Sequence, residues 1–203
     1  MHSTTSPSVA HLVEPRNPAP DATVLTVENR PVPLSGLWSG SQHGLALVFL
    51  RHFGCPFCKE HARELHRQRS GFREAGVEIV MIGPGTPAEA AAFIEALDLR
   101  NPALTDPDRS AYRAYGLAEA PLRSLLDPRT IAGGVRAAAK GFLPRTSSGN
   151  PLQLQGQFLI DRHGIVRSAT RPRLMSDIPS ASALLAGALA LREDALAQTR
   201  SPA

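Results

Sequence analysis

Both cysteines of this 203-residue chain fall within one short string, Arg51-His-Phe-Gly-Cys-Pro-Phe-Cys58, and that string joins an apolar run to an amphipathic stretch. Leu45-Ala-Leu-Val-Phe-Leu50 has the length and composition of a strand buried on both faces. Helical spacing begins after it, with Pro56 at the first helical position, where a missing N–H costs nothing. The end of a buried strand, opening into a helix, is where a reactive thiol belongs. With 42% hydrophobic and 20% charged residues, a chain of this length can bury one sizeable core and reads as a single α/β domain.

The remaining elements follow the same alternation. Thr23–Val27 and Val32–Leu34 read as two short edge strands or a hairpin. The strand at 45–50 leads to a helix over about 56–75, then a strand at 77–82, a helix at 87–97, a short strand at 103–105 and a helical turn at 110–115. Residues 116–150 read as an insertion with one helix near 131–140 and a loop at 146–150. Gln157–Ile160 and Ile165–Ala169 flank Asp161-Arg-His-Gly164, a hairpin signature, and a last amphipathic helix covers about 180–196. This order predicts a thioredoxin-like fold, a mixed central sheet flanked by helices. Residues 1–19, rich in Ser and Pro, are expected to be a flexible N-terminal arm, and 20–203 the domain.

The formal charge of +4 is spread over scattered arginines without a basic tract, so nucleic-acid binding is not expected. No segment has the eighteen or so apolar residues of a membrane span, and the start lacks a secretory pattern, so a cytoplasmic protein is expected. In that compartment paired cysteines are catalytic or metal-binding more often than structural.

A helix starting at Pro56 makes Cys55 its N-cap, beside unpaired N–H groups and the positive end of the helix dipole. With Arg51, Lys59 and Arg63 nearby, Cys55 is expected to be an exposed, acidic nucleophile. Cys58 shares a helix face with Ala62, Leu65 and Phe72 and reads as a shielded resolving thiol. His52, three residues before Cys55, is placed either to hydrogen-bond the thiolate or simply at an exposed strand end. Cys55, Cys58, His61 and His66 could be written as a zinc set, but the two histidines lie about 140° apart around a helix, so no metal is expected. Gly83-Pro-Gly85 lacks the full nucleotide-binding glycine pattern, and no cofactor is expected.

Four blocks, taken in order, resemble the peroxiredoxins of the alkyl hydroperoxide reductase and thiol-specific antioxidant superfamily. They are Ala19-Pro-Asp-Ala-Thr-Val-Leu25, Val32-Pro-Leu-Ser-Gly-Leu37, Leu47-Val-Phe-Leu-Arg-His-Phe-Gly-Cys-Pro-Phe-Cys-Lys-Glu60 and Gln155-Gly-Gln-Phe-Leu-Ile-Asp-Arg-His-Gly-Ile-Val166. The likeness is greatest to the peroxiredoxin-like group with Cys-x-x-Cys at the active turn. The resemblance implies a thiol peroxidase in which Cys55 attacks a hydroperoxide, Cys58 resolves the sulfenic acid, and a thioredoxin-like or low-molecular-weight thiol restores both. It also implies that His52 stands where the family carries threonine or serine, and Gln155 where it carries arginine. Those positions hold the peroxide, and Arg51 is then the residue able to supply the missing charge. The sequence admits a homodimer without fixing the oligomeric state. Two alternatives are a disulfide oxidoreductase, which needs an accessible Cys55 and a peptide groove, and a non-enzymatic redox-sensing module that changes shape through the insertion.

Overall fold

Side chains alternate along the strand Gly44–Phe49 (β3): Leu45, Leu47 and Phe49 enter one apolar cluster, while Ala46 and Val48 enter another. The computed structural model, which describes residues 13–200, puts this strand inside a seven-stranded mixed sheet covered on both faces. A strand buried on both sides has no use for polar alternation, which is why the run is apolar throughout.

In chain order, the strands β1 (Thr23–Leu25) and β2 (Pro31–Pro33) precede the short helix α1 (Leu34–Ser39). After β3 come α2 (Pro56–Arg67), α3 (Arg69–Glu74), β4 (Val77–Gly83) and α4 (Pro87–Leu97). Next are β5 (Ala103–Thr105), α5 (Ser110–Ala114), a 3-10 turn at Leu122–Leu126 and α6 (Pro128–Ala139). The hairpin β6 (Gly156–Asp161) and β7 (Val166–Thr170), then α7 (Ala181–Arg200), complete the chain. The sheet order is β2-β1-β5-β4-β3-β6-β7. β3 runs parallel to β4, pairing Phe49 with Ile82, and antiparallel to β6, pairing Phe49 with Gly156. Both prolines of β2 lie on an edge strand, where they remove no ladder bond.

Three features depart from the sequence expectations. The helix expected over 56–75 is two helices, broken at Gln68, whose N–H is shared between the carbonyls of Glu64 and Leu65. The second of them brings Gly71 against Leu185 of α7. Leu34, expected to end the second strand, instead opens a helix over Leu34–Ser39, in which Leu34 and Trp38, four apart, bury on one face. Residues 1–12 of the expected arm lie outside the described residues. Val13 to Ala19, by contrast, are fixed to the β6–β7 hairpin and are not free: Val13 is buried, Pro18 bridges to Ile165, and the N–H groups of Arg16 and Ala19 donate to Val166 and Gly164. The hairpin itself is pinned by Asp161, whose Oδ1 accepts from the N–H groups of His163 and Ile165, with Gly164 supplying the positive φ the turn requires. No helix among the described residues is long and apolar enough to cross a membrane.

Two contacts carry the fold to its site. The Tyr112 hydroxyl of α5 lies 2.6 Å from the Leu50 carbonyl and 2.8 Å from that of Ile82, fastening together the ends of β3 and β4. Gly133 of α6 lies against Phe57 so closely that a Cβ there would be 2.8 Å from the ring, and Ala137 is fully buried one turn on. The insertion helix therefore packs against the Phe57 side of the helix that carries the cysteines.

Candidate active site

Cys55 is the N-cap of α2, with extended backbone (φ −71°, ψ 125°), and its N–H donates to the His52 carbonyl at 3.1 Å. Pro56 at the first helical position fixes this geometry, as the sequence predicts. Cys58 lies on the inward face with Ala62 and Leu65, and the Arg51 N–H donates to its sulfur at 3.2 Å. Both cysteines are free thiols.

Arg51 organises the site. It is 5% exposed, and its guanidinium is held at several points: Nε donates to the Gln153 carbonyl (3.2 Å), Nη2 donates to the Pro151 carbonyl (2.6 Å) and contacts Met175 Sδ (3.1 Å), and Nη1 reaches Cys55 Sγ at 3.6 Å. A rigid fork with five donors suits this task better than a flexible ammonium would. Burial pushes the Cys55 thiol pKa up. The hydrogen bond from the Cys58 side chain, the Arg51 charge and the N–H groups of Cys58 and Phe57 outweigh it and bring the value down to about 6. Burial, reinforced by the hydrogen bond and charge of the neighbouring Cys55, raises the Cys58 thiol well above the ordinary range, although the charge and N–H of Arg51 pull the other way. The pair is thus split into one acidic thiol and one proton-bearing thiol.

The expected exposure of Cys55 does not hold: the residue is fully buried. A strap from the insertion covers the turn. The Arg145 N–H donates to the Gly54 carbonyl, Lys59 Nζ donates to the Leu143 carbonyl at 2.8 Å, and the Ser148 N–H and hydroxyl donate to Glu89. Glu89 also accepts from the Thr86 N–H in a capping box at the start of α4. Burial raises the Glu89 pKa, but these donors together lower it to about 2, so the latch is anionic at physiological pH. Beneath the strap lies a cavity of about 250 Å³ lined by Phe53, Gly54, Phe93 and Arg145 among others.

Gly54 is the close point of this cover, because a Cβ added there would lie 1.9 Å from the Arg145 carbonyl oxygen. Gly54→Ala should therefore displace the strap and break the Arg145 bond. The expected result is a severalfold faster labelling of Cys55 by a bulky maleimide, with the fold retained by circular dichroism. Unchanged labelling would show that the strap does not limit access to the thiol.

The other expected site residues are distributed unevenly. Burial and the Arg51 charge hold the His52 pKa down to about 4, so its ring is neutral at physiological pH, and its buried Nδ1 has no hydrogen-bond partner. What His52 gives Cys55 directly is its backbone carbonyl. Gln155 is buried one residue before β6, and its Nε2 donates to the Asp177 carbonyl at 2.6 Å, as a buried amide requires. One of its two amide N–H donors is thus committed to the scaffold. Arg63, expected to help acidify Cys55, is exposed on the outer side of α2 and is not among the groups acting on that thiol. His61 is fully buried, with both ring nitrogens lacking hydrogen-bond geometry. Burial holds its pKa near 4, although the Gln157 amide pulls the other way. His66 instead meets Asn101 at 3.3 Å. Sequence reasoning missed Gln153, Pro151 and Met175 as partners of Arg51, since they lie 100 to 124 positions away and carry no local signal.

The AhpC/TSA family model matches residues 15–169, more than half of the chain. The Arabidopsis thaliana thioredoxin-like protein AAED1, chloroplastic, is 33% identical over 91 residues, covering 45% of this chain and 36% of its own length. Peroxiredoxin-like 2C of Homo sapiens is 30% identical over 95 residues, covering 46% of this chain and 41% of its own. These matches span about two fifths or less of the relatives' lengths. The crystal structure of peroxidoxin BcpB from Mycobacterium tuberculosis superposes with a TM-score of 0.64 at 18% identity, covering 91% of this chain and 98% of that one, and so shares the fold. The matched residues carry the active turn, the central sheet and the β6–β7 hairpin, and this chain belongs to the AhpC/TSA family.

Proposed function

We propose that the protein reduces hydroperoxides through Cys55 and Cys58. The observation that carries this reading is the guanidinium of Arg51, held by backbone carbonyls and set 3.6 Å from a buried Cys55 whose pKa is brought to about 6. A thiolate buried beside a fixed cation is prepared to attack an oxygen atom and to stabilise charge as the O–O bond opens. In the first step the Cys55 thiolate forms an S–O bond while the O–O bond breaks. Cys55 leaves as sulfenic acid, and the departing alkoxide takes up a proton to become an alcohol. Cys58, already hydrogen-bonded to Cys55 through its proton, then forms the S–S bond and releases water. An external dithiol, of thioredoxin-like or low-molecular-weight kind, reduces the disulfide and is itself oxidised, which suits a reducing compartment such as the cytoplasm.

The disulfide-oxidoreductase alternative needs an accessible Cys55 and a groove for an extended peptide. Full burial of Cys55 beneath the strap weighs against it.

The test is a stopped-flow pH series on the reduced full chain with hydrogen peroxide, with free-thiol counts and intact mass at each time. The nucleophile is the deprotonated form, so the rate should rise as pH increases through about 6 and level off above it. Two thiols should disappear with loss of two hydrogens. Cys58→Ser should stop at a sulfenic acid, one oxygen heavier, and Cys55→Ser should not react. Absence of peroxide consumption by the wild-type protein, alongside rapid exchange with a protein disulfide, would overturn the peroxidase reading.

A further inference from the structure

Arg51 meets two sulfurs, and the chemistry above uses only one of them. A guanidinium carries five N–H groups, and on Arg51 four have acceptors: Nε has the Gln153 carbonyl, Nη2 has the Pro151 carbonyl and Met175 Sδ at 3.1 Å, and Nη1 has Cys55 Sγ at 3.6 Å. The second N–H of Nη1 has no acceptor among the described residues. A hydroperoxide oxygen that takes this donor is held by the same small cation that touches both Cys55 and Met175.

Met175 lies in the loop between β7 and α7, fully buried in a small cluster with Ala120 and Leu154 that is separate from the main core. A leucine would suit such a cluster on apolar grounds alone. The thioether adds a weak acceptor for Nη2 and an atom that can be oxidised. Met81 of β4 supplies a comparison within the chain, since it is equally buried, and in the cluster that holds Cys55 and Cys58, yet is not among the contacts of Arg51.

We propose that Met175 is a second oxidation site of this centre, and that its sulfoxide slows the reaction at Cys55. A sulfur lone pair forms the S–O bond to one hydroperoxide oxygen while the O–O bond breaks. The thioether is oxidised to a sulfoxide, and the departing oxygen takes up the hydroperoxide's own proton and leaves as an alcohol, or as water from hydrogen peroxide. The Arg51 charge stabilises that departing oxygen for Met175 as it does for Cys55. The product does not fit the starting geometry. Sδ and Nη2 are 3.1 Å apart, and an N–H···O bond alone needs about 2.7–3.2 Å, so an oxygen set on the sulfur and facing Nη2 has to push the two side chains apart. Both are buried, and neither can withdraw without loosening the contacts that aim Arg51 at Cys55. The braking effect rests on the peroxidase reading, whereas the oxidation site can be tested apart from it.

Two measurements separate them. Peptide mass spectrometry of the full-length Cys55→Ser protein, held for hours in excess hydrogen peroxide, reads the site without turnover at Cys55. Met175 should gain one oxygen about tenfold faster than Met81, and Arg51→Gln in the same background should bring that ratio toward one. Equal oxidation of the two methionines, or a ratio that survives Arg51→Gln, overturns the site. Circular dichroism checks that Arg51→Gln is folded, and the ratio in Cys55→Ser alone decides if it is not. In the second measurement the wild-type protein is treated with hydrogen peroxide, its thiols are restored with dithiothreitol, which leaves a sulfoxide in place, and peroxide consumption is timed. The rate should fall severalfold in step with Met175 oxidation while the Cys55 peptide stays unmodified, and Met175→Leu treated alike should keep its own starting rate. An unchanged rate with Met175 fully oxidised overturns the brake alone. No peroxide consumption by the untreated protein, with Met175 still oxidised ahead of Met81, overturns the peroxidase reading and supports the oxidation site.

Discussion

Arg51→Met is expected to slow peroxide consumption at pH 7 by roughly 10- to 100-fold and to move the midpoint of the pH–rate profile upward from about 6. The sign follows from the balance of influences on Cys55. Burial raises its pKa, and the Arg51 charge is one of the groups that bring it down. An opposite charge at this range is worth about 1–3 pKa units, and each unit is about 1.36 kcal/mol between the two protonation states. A midpoint moved to 8 would leave about a tenth of the thiol ionised at pH 7, so most of the lost rate should return at pH 9. The part that does not return measures the loss of charge stabilisation as the O–O bond opens. Arg51→Lys separates the two roles of the side chain. It keeps the positive charge but cannot bond Gln153, Pro151 and Cys55 at once, so its midpoint should lie between those of wild type and Arg51→Met. A midpoint unchanged by Arg51→Met, followed by thiolate absorbance and by rate, would remove Arg51 from the site.

The largest effect on stability is expected from Phe49→Ala, at about 3–5 kcal/mol. Phe49 is fully buried on β3, with ring centroids 4.9 Å from Tyr112, 5.1 Å from Tyr115 and 5.8 Å from Phe158. Tyr115 and Phe158 also meet each other at 4.9 Å, so the four rings form a closed cluster on one face of the sheet. Edge-to-face contacts of this kind add about 0.5–1.5 kcal/mol beyond the area they bury. Removing the central ring leaves a cavity that its neighbours, anchored on β6 and beside α5, cannot fill. A single domain has about 5–15 kcal/mol in total, so the variant should unfold at a much lower urea concentration. It should also loosen the site, because Tyr112 holds the ends of β3 and β4 from which Arg51 emerges. Phe49→Leu, which refills much of the volume, should recover most of the loss. A change below about 1 kcal/mol for Phe49→Ala would show that this cluster does not anchor the sheet.

The strands and helices around the cysteines were legible because each rests on a local pattern. The helix Pro87–Leu97 and the strand Ala103–Thr105 lie within the bounds their spacing predicts, and Pro56 with the apolar run before it marks the start of α2. The break at Gln68 was not legible, since helical spacing continues through it, and the second helix packs against α7 only in the folded chain. The same holds for Val13–Ala19, whose Pro-rich composition reads as an arm but whose N–H groups find carbonyls on a hairpin 150 residues later.

For the site, the sequence by itself determined the pair Cys55 and Cys58 and its place at a strand-to-helix junction. These follow from three-residue spacing, a proline and an apolar run, all acting over a single turn of chain. Only the tertiary structure decided the electrostatics and the access. Gln155 and His52 occupy the positions read for peroxide binding, yet the Gln155 amide serves Asp177 and the His52 ring is neutral, whereas Arg51 reaches the sulfur. The carbonyls that aim Arg51 and the strap that buries Cys55 come from residues 143–153, remote in sequence and adjacent only after folding. A pKa depends on burial and on charges a few ångströms away, and neither has a period along the chain.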